Sequence, residues 1–257
     1  MANVLDIPER GFRFIEGVFQ YSAGIAALPG FRIARARFAN PIPLHEGFSR
    51  IQAHLAALNL PATAFAACEL RSPEPFSEQD FVTFNRGYFG VLEKWGVIIG
   101  GLNPVARSNV CPELDKPVGP SFHAFSYAVP ANTSKAGGGA LPSFVIAGSG
   151  ESTEGKGSYR DHTIAWRDLS AAGMRAKIRH VMAEMERRMI ALGFAWPDTT
   201  ATQIYTVHDL FPYFAEEIVA RGAARHGATW QFCRPPVVDL EFEVDCRGVM
   251  DEIVLPQ

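Results

Sequence analysis

Apolar and polar residues alternate along two early stretches, Phe12 to Phe19 and Phe31 to Phe38. A period of two marks a half-buried strand. Ala27-Leu28-Pro29-Gly30 between them is turn chemistry. Asn40-Pro41-Ile42-Pro43 is expected to end the second strand, because proline cannot donate to a ladder. The period then changes. Phe48, Ile51, Leu55 and Leu58 recur at helical spacing and predict a helix over Leu44 to Leu58, stopped by Pro61. Ala64 to Leu70 reads as a short buried strand. Ser77 is placed to cap a second helix whose inward face carries Phe81, Phe84, Tyr88 and Leu92, ending near Trp95-Gly96. Arg107 to Cys111 and Ser121 to Val129 predict a strand pair.

The order then repeats. After a flexible glycine loop at Ala136 to Ala140 comes a buried strand, Phe144 to Ala147, and a second glycine-rich loop, Gly148 to Gly157. A long helix over Leu169 to Leu192 carries Met174, Ile178, Val181, Met185, Met189 and Leu192 on one side, a core stripe, with Gly193 as its C-cap. Thr202 to Val207 is a strand, Asp209-Leu210-Phe211-Pro212 opens a helix running to His226-Gly227, and Thr229 to Cys233 and Val238 to Cys246 are strands. Local pairs support a duplication: Leu58-Asn59-Leu60 with Leu192-Gly193-Phe194, Glu69-Leu70 with Asp209-Leu210, and Trp95-Gly96 with His226-Gly227. A repeat of about 130 residues is too long for a solenoid unit. It predicts two tandem α+β domains, residues 1–128 and 129–257, each a mostly antiparallel sheet with two helices on one face.

Composition narrows the function. The chain has 257 residues, 47% of them hydrophobic and 20% charged, with net charge -3. That balance disfavours nucleic acid or an anionic membrane as partner, since both demand a clustered basic face. No signal peptide and no membrane-length apolar run is read, so a cytoplasmic protein is expected. Cys68, Cys111, Cys233 and Cys246 are widely spaced, without C-x-x-C, and read as reduced, buried thiols. The seven histidines show no metal-ligand spacing, so no metal is expected. Gly150 to Gly157 nearly spells a phosphate-binding loop, but Gly157 stands where a Ser or Thr would hold magnesium, and Glu151 and Glu154 set negative charge against phosphates.

Several motifs, in order, resemble the Rid superfamily of small enamine/imine deaminases, which share a chorismate-mutase-like fold. In the first half, Asn85-Arg86-Gly87-Tyr88 is similar to that family's Asn-x-x-Tyr, and Pro104-Val105-Ala106-Arg107-Ser108 to its Pro-Ala-Arg-Ser with one inserted residue. In the second half, Ser149-Gly150-Glu151 is similar to Ser-Gly-Gln, Val207-His208-Asp209-Leu210 to Val-Lys-Asp-Leu, and Leu240-Glu241-Phe242-Glu243 to Ile-Glu-Ile-Glu. Each half departs where the other conforms. Glu217 lies near the asparagine position and Thr229-Trp230 near the arginine position of the second half. Ala34-Arg35-Ala36 stands where the first half should carry Ser-Gly-Gln, and its last strand lacks the glutamate. The tandem form resembles the 2-aminomuconate deaminases of aromatic-compound degradation, including the type acting on 2-amino-5-chloromuconate.

The resemblance implies a cofactor-independent hydrolase that converts a 2-aminomuconate-type dicarboxylate to the 2-hydroxy or 2-oxo acid and ammonia. It implies Arg107 on the α-carboxylate, Asn85 as a donor, Glu241 directing water, and Ser149 with Gly150 and Glu151 binding substrate oxygen. A second carboxylate calls for a second cation, with Arg35 and Arg175 as candidates alongside Arg37 and Arg160. It further implies a homo-oligomer, a trimer or related form, with composite sites drawn from both halves. The alternative is a non-catalytic Rid-like protein that binds or senses a small molecule.

Overall fold

The computed structural model describes residues 2–131, 143–153 and 155–256. The glycine loop expected at Ala136 to Ala140, and Glu154, lie outside them. The chain opens with three short strands, β1 (Val4–Ile7), β2 (Phe12–Ile15) and β3 (Gly24–Ala27), and a long one, β4 (Phe31–Pro43). The helix α1 (Leu44–Ala57), β5 (Phe65–Arg71), α2 (Glu78–Lys94), β6 (Ala106–Pro112) and β7 (Ser121–Pro130) complete the first half. The second half carries β8 (Phe144–Gly150), the short α3 (Tyr159–His162), the long α4 (Ala171–Leu192) and β9 (Ala201–Tyr205). A single turn, α5 (Phe211–Tyr213), then widens into a π-helical stretch, Phe214–Val219. Strands β10 (Thr229–Gln231), β11 (Cys233–Arg234), β12 (Glu243–Gly248) and β13 (Asp251–Leu255) end the chain.

The fold is α+β, and the duplication is written in its topology. One sheet runs β11-β6-β5-β7-β4-β13, the other β1-β2-β3-β8-β12-β9-β10. Each contains the same four-strand core, β6-β5-β7-β4 or β10-β9-β12-β8, with the first pair parallel and the others antiparallel. The sheets exchange their flanks. Strands β1 to β3 extend the second half's sheet, while β13 pairs with β4 and β11 with β6. A cut between 128 and 129 therefore parts β1 to β3 from the sheet they extend.

Strand alternation sorts the core into layers. Phe144 and Ile146 of β8 pack on Ile178, Val181 and Met185 of α4. Phe65 and Leu70 of β5 pack with Phe48, Ile51 and Leu55 of α1 and with Leu92 of α2. The intervening residues form a third cluster shared by both sheets, rich in small side chains: Ala66, Ala67, Ala106, Ala128 and Ala147 beside Phe12 and Phe14. The helices thus cover the outer faces and the two sheets meet inside. Ser77 accepts the N–H of Asp80, and Gly193 closes α4 at φ 85°, as their positions predict.

Four expectations are corrected. Strand β4 continues through Asn40-Pro41-Ile42 to Pro43 with a register shift. Beyond Phe38 it has no β13 partner, so a missing proline N–H breaks no ladder there. Strands β6 and β7 do not pair; β5 lies between them, because the crossover through α2 returns β6 parallel to β5. Gly148-Ser149-Gly150 belongs to a strand, not a loop. The second half's second helix is one turn plus a π-helical stretch, after which Gly222 turns the chain at φ 90°. Among the described residues no helix is long and apolar enough to cross a membrane.

Candidate active site

Strand β6 sends Ala106 to the inter-sheet core, so alternation turns Arg107 the other way, beneath α2. There its guanidinium carbon lies 4.9 Å from the ring centre of Tyr88, 5.1 Å from Tyr21, 5.6 Å from Phe84 and 5.9 Å from Phe81. Phe81, Phe84, Asn85 and Tyr88 fall on one face of α2 at spacings of three and four. Tyr21 is brought in by the segment before β3, where Ser22 Oγ donates to the carbonyl of Pro104 at 3.0 Å and the Ser22 N–H to that of Val105. Arg107 is 2% exposed, and none of its three nitrogens has a hydrogen-bond partner among the described residues. Ring faces attract a cation, but they leave in-plane N–H donors unanswered, and a buried charge without an acceptor is costly.

The neighbouring donors share this condition. Asn85 is fully buried and both its amide atoms lack partners, as does Nδ2 of Asn109, two residues past Arg107. Tyr88 is different: its hydroxyl lies 3.2 Å from Cys68 Sγ. Burial pushes the Tyr88 phenol well up and the Cys68 thiol up to about 12, so this thiol stays protonated at neutral pH.

The facing wall comes from the second half. Gly148, Gly150 and Glu243 line the same pocket as Arg107 and Asn109, a narrow cleft with a cavity of about 40 Å³. Phe81, Val237 and Leu240 give it an apolar side. A side chain at position 148 would place its Cβ 2.1 Å from Oε1 of Glu243 and 3.2 Å from Cα of Ser108. Glycine is what lets the carboxylate and β6 close on β8.

A buried seam fixes that approach. The Gly148 N–H donates to Ser108 Oγ at 3.1 Å, and Ser108 donates to Oδ2 of Asp245 at 2.6 Å. Tyr205 and Gln203 donate to the same carboxylate at 2.8 and 2.9 Å. Burial, and then the charge of Glu69, push the Asp245 carboxyl up. Glu69 goes the opposite way: burial works against its charge, but the guanidinium of Arg35 holds it well below the usual carboxylate range.

The residues singled out from sequence divide accordingly. Arg107 and Gly150 line the pocket; Asn85 does not, and is buried on the face of α2 that carries the cage rings. Ser149 turns to the other face of β8, where Arg188 Nη2 donates to its hydroxyl at 3.2 Å. Glu151 is fully buried, paired with Lys177 at 3.1 Å, and accepts the N–H groups of Glu241 and Phe242. Burial raises its carboxyl despite that lysine. Glu241 lies 2.7 Å from His208 Nε2, outside the cleft. Arg35 pairs with Glu69 at 2.7 Å and Glu252 at 3.4 Å. Arg175 pairs with Glu216 and Glu217 on the helix side. Arg37 donates to the Phe38 carbonyl, and Arg160 is exposed on α3. Glu243, Asn109 and Gly148 also line the site, and Asn109 and Gly148 carry no motif signal in the sequence. Parity along β8 and β6 was the available signal, since 148 shares a face with 150, and 109 with 107. Among the described residues no group of three or more His, Cys, Asp or Glu is placed to hold a metal.

Residues 4–253 match the family described as 2-aminomuconate deaminase CnbZ. The chain belongs to the 2-aminomuconate deaminase family. It is 47% identical over 245 residues to the 2-amino-5-chloromuconate deaminase of Comamonas testosteroni, covering 95% of this chain and 96% of that one. Among solved structures, a chorismatase aligns over 93% of this chain and 77% of its own at 11% identity, TM-score 0.49. A Thermotoga maritima protein described as an endoribonuclease aligns over 46% of this chain and 90% of its own at 15% identity, TM-score 0.32. In this member of the 2-aminomuconate deaminase family, a buried cation and a buried carboxylate line one cleft between the halves.

Proposed function

We propose that the chain deaminates enamine dicarboxylates of the 2-aminomuconate class, and that the cleft holding Arg107 and Glu243 is its active site. The family supports the class of reaction. The observation that carries the site is Arg107, a buried guanidinium whose donors have no acceptor and whose cage opens on a cleft. Its planar fork fits a carboxylate with two charge-assisted hydrogen bonds, which fixes the adjoining carbon. Asn85, on the same face of α2 as the cage rings, has amide donors and an acceptor still unmatched.

The chemistry then runs in balanced steps. The enamine gains a proton at carbon and loses one from nitrogen, giving the imine. Water adds to the imine carbon, and the carbinolamine expels ammonia, leaving the oxo acid. Positioning against Arg107 supplies the geometry, and a carboxylate can move the protons. We assign that role to Glu243 rather than Glu241, since Glu243 lines the cleft and Glu241 lies outside it. A carboxylate facing the clamp favours turnover over mere binding of the small molecule.

The test is ammonia release and loss of ultraviolet absorbance on adding 2-aminomuconate and its 5-chloro analogue, with kcat/KM measured for each. Arg107→Ala should lower kcat/KM about 10³-fold, the loss of two charge-assisted bonds. Glu243→Gln should lower kcat about 10²-fold or more with KM nearly kept. Wild-type rates in Arg107→Ala would remove the clamp; tight binding without turnover in the wild type would turn the reading to a binding protein.

A further inference from the structure

Asn109 is a polar pocket residue that the chemistry above leaves unused. It lies two residues beyond Arg107 on the same face of β6 and lines the same cleft. It is 4% exposed. Its Oδ1 accepts a hydrogen bond from Ser72 Oγ at 3.0 Å, which sets the direction of the amide. Ser72 is itself fully buried, and its N–H donates to the Val110 carbonyl at 2.9 Å, so the anchor belongs to the strand frame. With the carbonyl tied back, Nδ2 is left buried, with no acceptor among the described residues.

Arg107 and Asn109 are alternate residues on one face of β6, so their side chains meet the same cleft side by side. Resting on the reading in which Arg107 holds the carboxylate beside the imine, we propose that Asn109 Nδ2 receives the distal carboxylate of the substrate and sets the preference for diacids. The second cation expected from sequence is then not required. Arg35 and Arg175 are held by carboxylates of their own, and a neutral amide donates without adding a second buried charge. Phe81, Val237 and Leu240 offer the apolar side along which the diene would lie.

The test compares dissociation constants of hexanedioate and hexanoate by calorimetry, using the full chain and the variants Asn109→Ala, Asn109→Asp and Arg107→Ala. The wild type should prefer the diacid. Asn109→Ala should bind hexanoate within twofold of wild type and lose about 10-fold of the diacid preference, the worth of a hydrogen bond to a charged group. Asn109→Asp keeps the shape and the Ser72 contact but sets like charge against the distal carboxylate, so it should lose more. It carries the test if the alanine variant fails to fold. An unchanged diacid-to-monoacid ratio in both variants, an equal loss of both acids, or no diacid preference in the wild type overturns the role of Asn109. Undiminished binding of both acids by Arg107→Ala overturns instead the reading beneath it.

Discussion

Arg107 and Arg188 are buried alike, 2% and 1% exposed, in opposite settings. Arg188, on α4, donates from Nε to Glu184 at 2.7 Å, from Nη1 to the carbonyls of Ala147 at 3.3 Å and Ala23 at 3.5 Å, and from Nη2 to Ser149 at 3.2 Å. Arg107 has four aromatic rings around it and no acceptor among the described residues. Burial does not tell the two apart; partnership does. An arginine whose donors are all answered ties β8 to α4, while one left unanswered is placed for something that arrives. The contrast recurs between the halves. Asn85 of α2 is buried with both amide atoms unmatched, whereas Glu217, near the equivalent place in the second half, is buried against Arg175 and Arg179.

The comparison breaks most readily on stability. Arg188→Met leaves Glu184, Ser149 and two carbonyls without their donor, and should destabilise the fold by about 3–5 kcal/mol. Arg107→Met removes an unpaired buried charge and puts an apolar chain among rings, so its stability should equal or exceed wild type. Urea unfolding of the two variants measures the gap. Equal losses would mean that Arg107 is structural after all, whatever happens to turnover.

Much of this contrast was legible in sequence, and the part that was not has a physical cause. The order of elements, the caps Ser77 and Gly193, and the asymmetry between Asn85 with Arg107 and Glu217 with Thr229-Trp230 follow from periodicity and motif position. Side-chain partnership does not. Ser149 and Arg188 lie on different elements 39 residues apart in sequence, and only the fold brings them together. The choice between Glu241 and Glu243 also escaped, because the two share parity and β12 begins only at Glu243. Strands β1, β3 and β13 are four or five residues each, too short for a clear period, so the exchange of strands between sheets was not readable.

A smaller effect sharpens the structural side of the pair. Burial alone would raise the Glu184 carboxyl, but hydrogen bonding from Arg187 and the charge of Arg188 outweigh it and bring the group down to about 2. A carboxylate depressed in the folded chain adds stability that is complete above its unfolded value and lost as pH falls toward the folded one. The contribution is at most about 3 kcal/mol. Glu184→Gln should therefore cost the same at every pH above about 5, with the difference from wild type shrinking between about 4.5 and 2. A difference that persists to pH 2 would mean the ion pair does not hold this carboxylate.

The smallest expected effect bears on how the two halves make one site. Ser108 accepts the Gly148 N–H and donates to Asp245, so it stitches β6 to β8 and β12 at the residue next to Arg107. Ser108→Ala leaves a buried N–H unanswered and takes one of two donors from Asp245 Oδ2, which keeps Tyr205, a loss of about 1–3 kcal/mol. The direct consequence for Arg107 is slight, since its cage is built from α2 and Tyr21 and does not depend on the seam. What should change is the separation of Arg107 from Glu243, which stand on opposite sides of it. The variant should therefore bind hexanoate as the wild type does while kcat on 2-aminomuconate falls, and Ser108→Thr, which keeps the hydroxyl, should recover part of the rate. Parallel losses in binding and turnover would place the clamp and the seam in one unit. An unchanged kcat would mean the two walls are set by the sheets alone.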